Sequence, residues 1–238
     1  MLRIDGLVVR FDGLRAVDEL TLTVPAGARV GILGPNGSGK TTLFNAISGL
    51  TALAEGTIRL DGRATSGLAP HQIAAAGVAR TFQTVRLFQR LSALDNVLPR
   101  VGAGATTSSD ARRTALAALD SVGLGDAHEI MAGDLDAFAQ RRLEIARAIA
   151  QRPRLLLVDE PTAGLSRVEA DRIVELLDCA VDPTTTILLI EHNVGAIEAL
   201  CPRSLLLVEG RLAADAATAD MLRDRALASV YFGSQPSH

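Results

Sequence analysis

Gly34-Pro35-Asn36-Gly37-Ser38-Gly39-Lys40-Thr41 is the stretch whose reading decides the fold. It follows a short apolar run, Val30-Gly31-Ile32-Leu33, with the composition of a buried strand. It opens into Leu43-Phe44-Asn45-Ala46-Ile47, which has helical spacing. A strand, a glycine loop and a helix N-terminus in that order make a phosphate cradle. The glycines permit backbone conformations that turn several N–H groups onto one concave face. In such a cradle Gly34, Pro35, Asn36, Gly37, Ser38 and Gly39 wrap the phosphates of a nucleotide such as ATP. Lys40 reaches the β- and γ-phosphates, the Thr41 hydroxyl ligates Mg²⁺, and Thr42 is expected among the nucleotide-binding residues. The chain has 24 Lys plus Arg, and Lys40 is the only lysine among them. Every other basic residue is arginine, so this position alone keeps a compact ammonium on a flexible stem.

The 238 residues suit one domain of generous size, or a core with a small insert. Apolar residues make up 48% and aromatics only 3%, so the core is built from Leu, Ile, Val and Ala. A net charge of −3 argues against a nucleic-acid partner. Cys179 and Cys201 stand in no metal or redox spacing and read as buried thiols. The start, Met1-Leu2-Arg3-Ile4-Asp5, lacks the apolar core of a signal peptide. No run approaches the roughly 18–20 apolar residues of a membrane span. The expectation is a soluble protein that meets a membrane only through a partner.

Along the chain, 2–10, 20–24 and 29–33 read as an antiparallel start leading into the cradle. Thr57 to Gly62 reads as a strand ending in an Asp-Gly turn. Residues 70–77 have helical character, and 92–130 have helical spacing with a Gly/Ser/Thr break at 102–109. The stretch 140–151 predicts an amphipathic helix with Leu143, Ala146 and Ile149 on one face, stopped by Pro153. Helices over 166–180 and 194–200 alternate with strands at 155–158, 186–190 and 204–209. That alternation predicts an α/β fold with a parallel sheet covered on both faces. The tail, 234–238, is expected to be loose.

The second anchor is Leu155-Leu156-Leu157-Val158-Asp159-Glu160-Pro161. Four aliphatic residues bury a strand, and two carboxylates emerge at its C-terminal end, where parallel sheets place their ligands. Asp159 is expected to hold Mg²⁺, and Glu160 to orient and polarise the attacking water.

With these residues in place, the chain resembles the nucleotide-binding subunits of ABC transporters over nearly its whole length, Leu2 to Gly233. Gly34 to Thr41, Gln83, Asp159-Glu160 and His192 fall in that family's order. The likeness is greatest to the ATPase subunits of branched-chain amino acid importers. It rests on Ala79 to Phe88, Asp95-Asn96-Val97-Leu98, Gln140 to Ala148, Ile190-Glu191-His192 and Val230-Tyr231-Phe232-Gly233. The resemblance implies a single P-loop ABC ATPase domain over 1–238. It would have a mainly parallel core, an N-terminal antiparallel β subdomain and a helical subdomain at about 86–138 that receives transmembrane permease subunits. It implies that Phe11 packs on adenine, that Gln83 touches Mg²⁺ and the water, and that His192 sits on the γ-phosphate. Ala163 to Ser166 matches a loop that crosses to a second ATPase subunit, with Ser166 where the family has Asp or Asn. The implied place of work is the cytoplasmic face of the cell membrane, with a solute-binding protein as an indirect partner.

One departure stands out. The family's signature, close to Leu-Ser-Gly-Gly-Gln, binds the γ-phosphate held by the opposite subunit. Here the segment reads Leu135-Asp136-Ala137-Phe138-Ala139. Asp136 can cap the following helix, but a carboxylate repels phosphate oxygens, and Phe138 stands where backbone must approach ligand. The expectation is a heterodimer rather than a homodimer, with this chain supplying a good cradle and a poor signature; a loop shifted by one residue would restore some contact. Three alternatives stay open: an ABC ATPase that moves lipid or polysaccharide, a soluble one acting on DNA or ribosomes, and a low-turnover nucleotide binder.

Overall fold

The computed structural model describes residues 1–100, 107–224 and 227. Residues 102–106 of the expected break, the Val230 to Gly233 stretch and the tail at 234–238 lie outside the described residues. In chain order the elements are β1 (Leu2–Phe11), β2 (Leu14–Val24), β3 (Arg29–Leu33), α1 (Lys40–Ile47), β4 (Glu55–Leu60), β5 (Arg63–Ala64), α2 (Pro70–Ala75), β6 (Val78–Arg80) and α3 (Ala93–Val97). There follow α4 (Ser108–Ser121), α5 (Ala137–Ile149), β7 (Leu155–Asp159), α6 (Arg167–Ala180), β8 (Thr186–Ile190), α7 (Val194–Leu200), β9 (Arg203–Val208), β10 (Arg211–Ala217) and α8 (Thr218–Arg223). They fall into two compact units, one holding 1–76 and the chain from 186 onward, the other holding 77–185.

The first unit contains an antiparallel sheet in the order β2-β1-β4-β5, and strands in the order β10-β9-β3-β8. Central β3 runs parallel to both neighbours: Ile32 pairs with Ile190 of β8 and with Leu205 of β9. Strands β3, β8 and β9 are runs of Ile, Leu and Val without alternation, and almost every residue in them is buried, the pattern of strands covered on both faces. The β1–β2 hairpin turns through Asp12 (φ 45°) and Gly13 (φ 88°), the pair of left-handed residues that a tight hairpin requires. Asp61 (φ 47°) and Gly62 (φ 79°) turn β4 into β5 in the same way. The strand β10 and helix α8 have no counterpart in the sequence reading, which ended at 209. The alanine-rich Arg211–Ala217 lacks the β-branched residues that advertise a strand, and it pairs because it lies antiparallel against β9.

The second unit pairs β6 with β7 in parallel and carries α3, α4, α5 and α6. The expected break at 102–109 needs correction at its end. The Thr107 hydroxyl accepts a hydrogen bond from Asp110 N–H at 3.1 Å and caps α4, so Ser108 and Ser109 open a helix. Hydroxyl residues mark helix starts as readily as loops. Helix α5 begins three positions before the expected 140, because Asp136 Oδ1 accepts from Ala139 N–H at 2.7 Å and caps it. Leu143 and Ala146 are buried as the spacing implied, but Ile149 is only half-buried, and Arg141, Glu144 and Arg147 are buried as well. A polar row that an amphipathic helix would leave in water is instead packed inside.

The cysteines differ from the expectation that both are buried. Cys201 is buried, and burial pushes its thiol up to about 12. Cys179 is exposed, since α6 turns Ala170, Ile173 and Leu177 inward and leaves Cys179 on the other side. A thiol-reactive reagent is therefore expected to modify Cys179 in the native protein and Cys201 only after denaturation, because the thiolate is the reacting form. Mass spectrometry of the labelled peptides checks this, and native labelling of Cys201 would contradict it.

Candidate nucleotide site

The phosphate loop leaves the end of β3 and turns into α1. Gly34 (φ 148°) and Gly39 (φ 98°) both lie in backbone regions that disfavour a side chain. Space demands glycine as well. A Cβ on Gly34 would stand 2.2 Å from the Leu207 carbonyl oxygen, and one on Gly39 would stand 2.4 Å from that of Ala16. The loop is tied down by the Gly210 N–H, which donates to the Ser38 carbonyl at 3.1 Å, while Asp18 N–H donates to Gly210 O at 2.9 Å. The β1–β2 hairpin and the β9–β10 turn thus brace the loop from behind. Lys40 is 6% exposed, and its Nζ donates to the carbonyls of Gly34 at 2.7 Å and Pro35 at 3.0 Å. The Ser38 hydroxyl is buried with no hydrogen-bond partner among the described residues, a condition that costs free energy unless a ligand atom satisfies it. Thr41 is exposed, Thr42 is half-buried, and Asn36 and Gly37 face solvent. These residues fit a polyphosphate.

In the same unit His192 follows β8. Because Ile190 pairs with Ile32, the chain leaves β8 at the end of the sheet where the phosphate loop leaves β3. Buried Glu191 fixes that exit: its Oε2 accepts from the N–H groups of His192 at 2.7 Å and Asn193 at 3.1 Å. The His192 side chain is exposed. Phe11 ends β1 at the hairpin turn and is 48% exposed, an open aromatic face rather than a core residue.

The second unit carries the acids. Asp159 ends β7, and its Oδ2 accepts from Arg80 Nη2 at 2.8 Å, with both side chains buried. Burial lowers the Arg80 pKa, and Asp159 opposes that. Removing either partner of such a buried pair costs about 3–5 kcal/mol, because the other charge is stranded. The next residue, Glu160, adopts φ 45°. A left-handed conformation is uncommon for a side-chain-bearing residue and gathers at functional sites. Gln83, which follows β6, donates from Nε2 to Glu160 Oε2 at 2.7 Å. The parallel pairing of β6 with β7 brings these two residues to one strand end.

The segment 135–139 has a regular local structure. Asp136 faces its own helix as a cap, and the Phe138 ring lies under the Arg142 guanidinium, 4.6 Å from its centroid. Ser166 caps α6, and Glu169 Oε2 accepts from its N–H at 2.8 Å and from its hydroxyl at 2.6 Å. Asp, Asn and Ser are interchangeable in that role, which accounts for serine at 166.

Comparison with known proteins identifies the family. The family model described as "ABC transporter" matches residues 17–163. The high-affinity branched-chain amino acid transport ATP-binding protein BraF of Pseudomonas aeruginosa is 37% identical, with 94% of each chain covered. This chain belongs to the ABC transporter family. LivG of Escherichia coli, also a high-affinity branched-chain amino acid transport ATP-binding protein, is 37% identical over 88% of this cassette and 89% of its own length. The lipopolysaccharide export system ATP-binding protein LptB of Escherichia coli is 32% identical over 96% of the cassette and 95% of its own length. Among solved structures, an ATP-binding cassette of an ABC transporter in its ADP conformation superposes with TM-score 0.85 at 25% identity, covering 98% of both chains. A dimeric cassette bound to ADP and Pi gives TM-score 0.81 at 26% identity, covering 92% of this chain and 99% of that one.

As a member of that family the cassette binds ATP and hydrolyses it to power transport, and its fold is the P-loop ABC ATPase fold. Sequence reasoning used Arg80, Arg141 and Glu144 only as members of the stretches that carry the resemblance and gave them no role. Two of them stand out as charged residues in apolar surroundings, Arg80 after Gly77-Val78-Ala79 and Glu144 between Leu143 and Ile145.

Proposed function

We propose that this cassette is the ATP-hydrolysing subunit of a membrane importer for branched-chain amino acids. The observation that carries the catalytic part is the Gln83–Glu160 hydrogen bond of 2.7 Å, made by a carboxylate in a left-handed backbone. The similarity to BraF and LivG carries the substrate class, and the lower identity of LptB puts the lipid alternative second. The phosphate loop from Gly34 to Thr42 grips the triphosphate, and Phe11 offers a ring to adenine. Thr41, Gln83 and Asp159 would supply oxygen donors to a Mg²⁺ ion, which when bound would offset phosphate charge. A hard cation that keeps waters and substrate oxygens needs only one or two protein carboxylates. Glu160 takes the proton of the attacking water as its oxygen bonds the γ-phosphorus, and the bond from that phosphorus to the β,γ-bridging oxygen breaks. His192 donates to the γ-phosphate.

The cassette works at the cytoplasmic face of the membrane. Among the described residues no helix is long and apolar enough to cross a membrane, so transmembrane permease subunits supply the path. Phe88, Leu91, Ile130 and Met131 are exposed apolar residues of the second unit. The Leu91 carbonyl accepts from Ala132 N–H and the Ile130 carbonyl from Ala93 N–H, which gathers them into a patch suited to a permease loop. A solute-binding protein delivers the amino acid to the permease. The second ATPase subunit is a different chain: Asp136 and Phe138 make this signature a poor receiver for a partner's γ-phosphate, so the cassette serves best in a heterodimer.

ATP turnover of the cassette alone, and of the cassette with a second ATPase subunit and its permease in lipid, tests this reading. Turnover about 10²-fold or more faster in the mixed assembly is expected, the scale of a restored oxyanion contact. Full turnover by the isolated cassette would overturn the heterodimer.

A further inference from the structure

Residues 82–86 carry Gln83 from β6 toward α3, and they belong to no helix or strand. Their backbone groups bond instead to the buried polar row of α5. Arg141 donates from Nη1 to the Phe82 carbonyl at 2.7 Å and from Nη2 to the Gln83 carbonyl at 2.8 Å. Glu144 Oε1 accepts from Phe82 N–H at 3.1 Å and from Arg86 N–H at 3.5 Å. Its Oε2 accepts from Arg141 Nη1 at 2.9 Å, and Arg147 Nη1 donates to the Arg86 carbonyl. The Arg80 and Arg86 guanidinium groups both lie over the Phe82 ring, 5.0 and 4.4 Å from its centroid.

Stability alone does not explain this arrangement. A buried ion pair is often no better than apolar residues of the same volume, and α5 already buries Leu143, Ile145 and Ala146. Directional bonds achieve what apolar packing cannot: they hold an irregular backbone in one place. The grip is on main-chain atoms of Phe82, Gln83 and Arg86, which leaves the Gln83 amide to reach Glu160.

We propose that Arg141 and Glu144 are positioning residues for ATP hydrolysis, clamping the 82–86 backbone so that the Gln83 amide fixes the carboxylate of Glu160. This rests on the reading of Glu160 as the proton acceptor. Asp136, in the segment that stands at the signature position, caps α5, and Arg141 of the same helix holds the Phe82 and Gln83 carbonyls. The row Arg141, Glu144 and Arg147 therefore links that segment to the chain's own water-activating carboxylate.

A double-mutant cycle in the full assembly with measurable turnover tests the clamp. Arg141→Lys keeps the charge but loses the planar fork that spans two carbonyls, and Glu144→Gln keeps the shape but loses the ion pair. Each is expected to lower kcat about 10- to 100-fold, the cost of a misplacement of roughly 1 Å. The KM for ATP is expected to stay within about twofold, since ground-state binding is untouched. Amide exchange at Phe82 and Arg86 is expected to rise. Combining either change with Gln83→Ala is expected to cost no more kcat than Gln83→Ala alone, because both act through one group. Additive losses, or an unchanged kcat in both single variants, would overturn the proposal. Should Arg141→Lys fail to bind ATP through misfolding, Glu144→Gln decides alone. Failure of the hydrolytic reading is separate: it shows as hydrolysis retained in Glu160→Gln.

Discussion

Lys40→Ala is expected to lower ATP affinity about 10- to 150-fold, the equivalent of ~1.5–3 kcal/mol for hydrogen bonds to a charged group, and to leave no measurable turnover. The ammonium has two roles. It donates to the Gly34 and Pro35 carbonyls at 2.7 and 3.0 Å, holding the first turn of the loop, and in the proposed site it would supply positive charge to the γ-phosphate. Alanine removes both, so the loop loosens and the phosphate contacts weaken together. Titration with a fluorescent nucleotide measures the affinity. Because Lys40 is the only lysine, an amine-directed reagent has one side chain to modify, and ATP is expected to protect it. Unchanged affinity and turnover in Lys40→Ala would remove the nucleotide site from this loop.

Glu160→Gln is expected to leave ATP affinity intact and to slow hydrolysis about 10²- to 10⁴-fold, the usual contribution of a positioned general base. The change is nearly isosteric. The Gln83 amide that donates to Glu160 Oε2 at 2.7 Å finds an amide oxygen in the same place, so the backbone at φ 45° keeps its support. Only the proposed proton acceptor is lost. Single-turnover hydrolysis, measured beside equilibrium binding, separates the two effects. Hydrolysis at the wild-type rate would show that another group receives the proton. Gln83→Ala removes the support instead of the base, so it is expected to slow hydrolysis less than Glu160→Gln does.

The sequence by itself determined the parts whose physics is local. Glycines at 34, 37 and 39, a lone lysine at 40 and aliphatic runs at 155–158 and 187–190 carry their structural meaning in adjacent residues. Backbone freedom, strand burial and helix start are set within a few positions. Asp136 could be read as a cap for the same reason, and its hydrogen bond to Ala139 spans three residues. Only the tertiary structure decided that Arg80 lies against Asp159, 79 positions away, and that Arg141 holds Gln83 across 58. Only pairing with β9 revealed β10 as a strand. A charged residue on a helix reads as solvated unless the chain packed against it is known, and no local pattern announces that neighbour. Long-range packing turned a polar row on α5 into the support for an irregular loop, because buried backbone groups must find partners wherever the fold provides them.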